Sequence, residues 1–289
     1  MYVQPNAPRS IGGVLDDGIK LFRGAFSRTW PLCLCMQLLI TLPILVFSER
    51  FSGIAAGARD PQAVLAAFKS PGVWLTYVWI FIVAIGFHNA LILLISRYAA
   101  GSPGGFGASV GGGFRLAPRV ILVAVLLWLV LLGLGIVLGI ASAGLGAAFG
   151  RASVAVIVVV GVAVAAYLLG RLFLATVAAV VDDVKATRSI ALSWTLVKGQ
   201  WWRAAAIYGV AILMYLALYA VGALLDLAGI ALAGRGTQLS LIYNQIVAIL
   251  LSTVMGSFLP SMLVSIYRDL KLRKEGADLA GRVEALAAR

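Results

Sequence analysis

Charge is what this sequence has least of. Only 12% of its 289 residues are Asp, Glu, Lys or Arg, against about 25% in an average soluble domain. With 62% hydrophobic residues and a mean hydropathy of +1.02, a water-soluble fold of this size could not hide its apolar surface, so lipid must be the solvent. Histidine occurs once, at His88, which excludes paired-histidine acid–base chemistry and histidine-rich metal cages. Cysteine occurs twice, at Cys33 and Cys35. Two residues apart in an apolar run, they point to different sides of a helix, so small buried hydrophobes are expected rather than a disulfide or a metal pair. Acidic residues are also scarce, 11 against 23 basic ones, for a net charge of +12. In a soluble chain that balance would point to nucleic acid. Here the charges sit between apolar runs, where they mark membrane topology, and no nucleic-acid partner is expected.

What is present is a series of apolar runs. Residues 1–9 are polar and expected to be loose. From Ser10 the pattern turns helical: Ile11, Val14, Leu15, Gly18, Phe22, Ala25 and Phe26 share one face, while Asp16, Asp17, Lys20, Arg23 and Ser27 share the other. An amphipathic N-terminal segment, 1–29, is read here, lying either in the membrane interface or on the protein's own cytoplasmic face. Spans follow at about 30–47, 73–95, 120–140, 154–181, 204–225 and 241–266, and a basic tail at 267–289. Asp60-Pro61 reads as a cap followed by a first-turn proline, predicting a short helix to Lys69. The glycine-rich stretch 101–119 lacks the Gly-Lys-Ser/Thr of a phosphate cradle and reads as a flexible linker. Pro260 predicts a kink near the end of the last span. Leu279, Val283 and Leu286 suggest a short amphipathic helix in the tail. Gly135/Gly139 and Gly146/Gly150 have the spacing that lets helices approach closely. The fold class is therefore all-α: a single polytopic membrane domain with six transmembrane helices and amphipathic interfacial helices on the cytoplasmic side.

Orientation follows from the basic residues. Of the 23 Lys and Arg, 18 fall in 1–29, 96–119, 171–203 and 267–289, and five (Arg50, Arg59, Lys69, Arg151, Arg235) in the alternate loops. That asymmetry puts both termini on the cytoplasmic side. Arg23-Gly24-Ala25-Phe26-Ser27-Arg28 and Lys198-Gly199-Gln200-Trp201-Trp202-Arg203 share a pattern, and Gly113-Phe114-Arg115 carries part of it. Three repeats, each an interfacial helix with two spans, are one reading; chance recurrence of basic-aromatic clusters at interfaces is the other.

Several side chains are candidate ligand or lipid contacts. Arg171 lies about ten residues before the predicted end of the fourth span. A mid-membrane arginine costs roughly 2.5–3.5 kcal/mol on insertion scales, so it is expected to face protein or water. It either binds a phosphate or carboxylate in an inner-leaflet cavity, or snorkels to the cytoplasm or pairs with Asp182 or Asp183. His88, Asn89, Asn244 and Gln245 either line a polar pathway or bond between helices. Trp201 and Trp202 sit at an interface where aromatics anchor, and Arg188, Lys198 and Arg203 are placed to meet anionic headgroups.

Arg171-Leu172-Phe173-Leu174, Ser193-Trp194, Val197-Lys198-Gly199 and Trp202-Arg203, with Ile266 through Leu279 and Ser10-Ile11 to Leu21-Phe22, resemble the membrane domain attached to some glycerophosphoryl diester phosphodiesterases and related stand-alone six-span bacterial proteins. Where that family usually has a proline and then a glutamate, this chain has Thr176-Val177 and Asp182-Asp183. The resemblance implies the membrane architecture without the phosphodiesterase domain, whose chemistry needs a histidine pair and metal-binding carboxylates. No catalytic residue, metal site or cofactor is expected. The expected role is non-enzymatic: lipid-interacting, structural or accessory. The alternative is a small transporter with a polar site near Arg171. Anionic membrane lipids, and a protein partner through the C-terminal tail, are the partners expected.

Overall fold

The computed structural model describes residues 5, 7–46, 61–102, 104–234 and 237–287. All regular structure among them is helical: α1 Ile11–Val46, α2 Pro61–Lys69, α3 Pro71–Ala99, α4 Phe106–Phe149, α5 Arg151–Leu172, α6 Ala175–Val181, α7 Ala186–Val197, α8 Trp201–Ala233, α9 Gln238–Met255 and α10 Phe258–Ala287. Six segments are long and apolar enough to cross a membrane: Ile11–Ile44, Pro71–Ala99, Phe106–Phe149, Ala152–Val181, Trp201–Ala233 and Gln238–Gly276. In the most apolar windows of the third, fourth and fifth, only 11%, 6% and 11% of residues are buried by the rest of the chain. Burial in protein therefore cannot hold these helices; their apolar faces call for hydrocarbon. At 22 residues α5 is roughly 33 Å long, close to the ~30 Å core of a bilayer.

The helices run further than polarity alone predicts. The N-terminal segment and first span form one uninterrupted helix, α1, instead of an amphipathic helix followed by a separate span. The glycine-rich stretch is not a linker: from Phe106 it is the first part of α4. The tail continues α10 without a break. Aqueous helix propensity marks glycine as a breaker, but here Gly113 lets the backbone of α4 pack directly on Gly86 and Ala90 of α3, a contact that only a helical glycine permits. The fourth span, expected to be continuous to Val181, is interrupted at Phe173–Leu174. The Pro260 kink lies a few residues upstream of the proline, at Gly256–Ser257, and Pro260 falls in the first turn of α10, where a missing N–H removes no helical bond. The cap expected at Asp60 lies outside the described residues, while the helix after it is present as α2.

The chain forms two compact units, and α1, α4, α8 and α10 each contribute to both. The first comprises residues 18–117 and 210–262 among those described. Here α3 and α4 meet at their glycines. A methyl group on Gly113 would lie 2.6 Å from the Ala90 nitrogen, and one on Gly86 would lie 2.6 Å from the Phe114 ring. The Asn89 amide donates to the Gly113 carbonyl at 3.3 Å. On α1, Pro43 deprives the Leu39 carbonyl of its helical donor. The Trp79 indole N–H from α3 supplies one at 2.8 Å. Cys33 is buried with a free thiol and packs where Gly256 leaves room, in keeping with a small buried hydrophobe. The Thr29 hydroxyl bonds Ser257 at 3.1 Å beside the α9–α10 break.

The repeated motif takes different local forms. Gly199 has φ +81° and ends α7, a left-handed cap that suits glycine. Gly24 lies inside α1, where a methyl group would come within 2.8 Å of the Tyr98 hydroxyl. Gly135 and Gly139 have open space where a methyl would go, so close packing within this chain does not explain them.

Gly113→Ala should destabilise the protein by about 1–3 kcal/mol, since the backbone opposite cannot yield. Gly111→Ala, on the open side of the same helix, should be neutral or stabilise by roughly 0.5–1 kcal/mol. Thermal unfolding of the purified variants in detergent checks the contrast.

Candidate functional site

The second unit comprises residues 5–17, 118–209 and 263–289, so far as these are described. Its centre is the end of α5. Tyr167 and Arg171, four residues apart, share one face of that helix. The break at Phe173–Leu174 leaves the Arg171 carbonyl short of a helical partner, and the Ser193 hydroxyl of α7 donates to it at 2.8 Å. The next residue, Trp194, then lies over the guanidinium, with Arg171 Cζ 4.2 Å from the indole centroid and 5.8 Å from that of Tyr167. Trp201 completes the wall: its indole N–H donates to the Tyr167 carbonyl at 3.3 Å, and its ring lies 5.7 Å from that of Tyr167. Gly170 makes room, since a methyl there would lie 2.7 Å from the Trp201 indole nitrogen. Arg171 is 5% exposed. Its Nε has no hydrogen-bond partner among the described residues.

The expected pairing of Arg171 with Asp182 or Asp183 does not occur. Asp182 accepts from the Tyr267 hydroxyl at 2.7 Å and from Lys271 at 3.0 Å. Asp183, in a left-handed turn at φ 51°, pairs with Arg119. Snorkelling is not seen either, because the aromatic cover buries the guanidinium.

A second ionic knot ties the chain ends together. Asp269 is 7% exposed. It accepts from the Arg9 backbone N–H at 2.9 Å, from Arg203 at 3.1 Å and from Arg273, one turn along α10, at 3.0 Å. Arg203 also donates to the Arg9 carbonyl, and the Arg9 guanidinium pairs with Asp17 at 3.2 Å. Two expectations change. The chain at Arg9 is held rather than loose, and Arg203, expected at lipid, is committed to Asp269. Acids are few in this sequence, and Asp17, Asp182, Asp183 and Asp269 are each engaged by a basic side chain of this unit.

The cations on and beside α7 lie at the surface. On α7, Ala186, Ser189, Ser193, Leu196 and Val197 are buried, whereas Arg188 and Trp194 are exposed, with Lys185 and Lys198 exposed at its ends. Trp202 is 80% exposed and Trp201 is half-buried. Beside the site, α4, α5 and α8 enclose a cavity of about 380 Å³ lined by Leu127, Ala166, Leu169, Gly170, Phe173 and Tyr208, among others. Its walls are almost wholly apolar.

His88, Asn89, Asn244 and Gln245 belong to the other unit. Asn89 is buried and bonded to Gly113, with its Oδ1 unpartnered among the described residues, as is that of Asn244. His88 and Gln245 are half-buried, and among the described residues no hydrogen bond joins the pair on α3 to the pair on α9. Ending the fifth span at Leu225 leaves out Asp226. That acid lies inside α8 with a buried Oδ1 that has no partner among the described residues. A lone carboxylate in a continuous apolar run was the available signal. Among the described residues no group of His, Cys, Asp and Glu is arranged to hold a metal ion.

The chain is a polytopic helical membrane protein. No protein-family model, curated protein or solved structure matches it.

Asp269→Asn should cost roughly 1–3 kcal/mol, because it removes the buried counter-charge of two half-buried arginines, Arg203 and Arg273. Limited trypsin digestion checks it: cleavage after Arg9 should be fast in the variant and slow in the wild type.

Proposed function

We propose that this protein has a non-catalytic, structural or accessory role and holds anionic lipid headgroups against α7. One observation carries the reading. The helix buries a face of small and aliphatic residues and exposes Arg188 and Trp194, flanked by exposed Lys185, Lys198 and Trp202. Lys185, Arg188 and Lys198 have no carboxylate partner among the described residues, while Arg119, Arg203, Lys271 and Arg273 do. Exposed indoles seat a helix at the headgroup level. Each unpaired cation adds about 1 kcal/mol of attraction to an anionic surface. The apolar lining of the neighbouring cavity favours lipid over a polar solute.

In this reading the surface faces the cytoplasm of a bacterial inner membrane, with both chain ends on that side; the distribution of Lys and Arg supports it. The resemblance to the membrane domain of glycerophosphoryl diester phosphodiesterases supports a membrane role. The segment beyond residue 267 is the proposed contact for a protein partner.

The combined variant Lys185→Ala, Arg188→Ala, Lys198→Ala should lose of order tenfold to a hundredfold in affinity for phosphatidylglycerol at low salt. Native mass spectrometry of retained lipid measures this. Retention equal to the wild type overturns the proposal.

A further inference from the structure

The buried guanidinium of Arg171 points to a second, separate site. Arg171 brings five N–H donors into the unit; Nε is enclosed and has no hydrogen-bond partner, and no carboxylate among the described residues forms an ion pair with the guanidinium. The carboxylates near it in the chain are engaged elsewhere, Asp182 by Tyr267 and Lys271, Asp183 by Arg119. The Trp194 and Tyr167 rings satisfy part of the charge through their π-faces. The end of α5 adds a favourable dipole. Neither supplies an acceptor for the N–H fork, and an unsatisfied buried donor calls for a partner.

We propose that Arg171 binds a phosphate-type oxyanion, with the fork donating two parallel bonds and the Trp194 ring covering the opposite face. The chemistry is that of planar, bidentate recognition, which guanidinium performs and ammonium does not. Placement favours phosphate. The residue sits in the last turn of α5, within a wall of tryptophan and tyrosine rings of the kind that gathers at headgroup level. The site is built by the latch between α5 and α7: Ser193 fixes the Arg171 backbone at 2.8 Å, and that bond sets Trp194 over the side chain. The anion has two sources, a phospholipid headgroup or free phosphate, and both present the same oxygens.

The test uses the full chain in a maltoside detergent, which contains no phosphate. Inorganic phosphate and phosphatidylglycerol are titrated separately against chloride at equal ionic strength, and read by tryptophan fluorescence and native mass spectrometry. A saturable change in the wild type is expected. It should weaken about tenfold or more in Arg171→Leu, the loss of one or two charge-assisted hydrogen bonds, and by a comparable factor in Arg171→Lys, which keeps the charge and removes the fork. Trp194→Phe should abolish the fluorescence change while mass spectrometry still detects the ligand. A response to the lipid alone assigns the site to a headgroup, and a response to phosphate assigns it to a free anion; either supports the site. Lys185, Arg188 and Lys198 are intact throughout, so loss on changing Arg171 reports on this site and not on the α7 surface. No saturable response in the wild type, or equal binding by Arg171→Lys, overturns the proposal. If Arg171→Leu fails to fold, the wild-type titration and the Arg171→Lys variant decide it.

Discussion

In a bilayer every backbone amide must find its partner inside the protein, and the rest of this structure follows from that constraint. Continuous helix meets it without help, and the apolar run of α1 stays helical through Pro31 and Pro43. Where a helical bond is missing, a side chain takes over. Trp79 serves the carbonyl that Pro43 orphans, and Ser193 serves the one at the end of α5. At Gly256–Ser257 no such help is needed, since the Ser257 carbonyl keeps its helical donor, the Ser261 N–H at 3.1 Å. Both repairs are also tertiary contacts, so a gap in the bonding of one helix fixes the position of another.

Charge obeys the same logic at the helix ends. With so few acids, carboxylates in the second unit are shared. Asp269 serves two arginines and a backbone amide, and Asp182 serves a lysine and a tyrosine. Sharing leaves a surplus of cations, and the fold divides that surplus. Lys185, Arg188 and Lys198 stand at the surface, where a lipid anion can meet them. Arg171 is sealed under indole instead. A positive-inside sequence is usually read as an address label; here the same residues also separate into structural cations and available ones.

The membrane class and the six spans were legible from hydropathy, because a run of twenty apolar residues has few other fates. Helix limits were less so. Expected limits follow polarity, yet at Thr29–Trp30 in α1 and at Arg119–Val120 in α4 charge gives way to apolar sequence without any change in backbone. Polarity tracks the solvent around a helix, and the helix itself does not end where the solvent changes. That Arg171 would be turned toward protein was legible from its rarity in an apolar span. Its partners were not, since Trp194 and Ser193 reach it only after the chain turns back through α6 and α7. Arg203 was misjudged for a related reason: its acid, Asp269, lies 66 residues away in sequence.

The glycine contact between α3 and α4 has a mechanical consequence. With the backbone of one helix resting on that of the other at Gly86, Ala90 and Gly113, there is no side-chain layer to deform. The pair cannot slide or rotate internally without a collision, so it behaves as a single stiff plank. Within the second unit helical hydrogen bonding lapses at Phe173–Leu174 and at Gly199, on either side of the segment that carries Trp194, which is held by side-chain contacts instead.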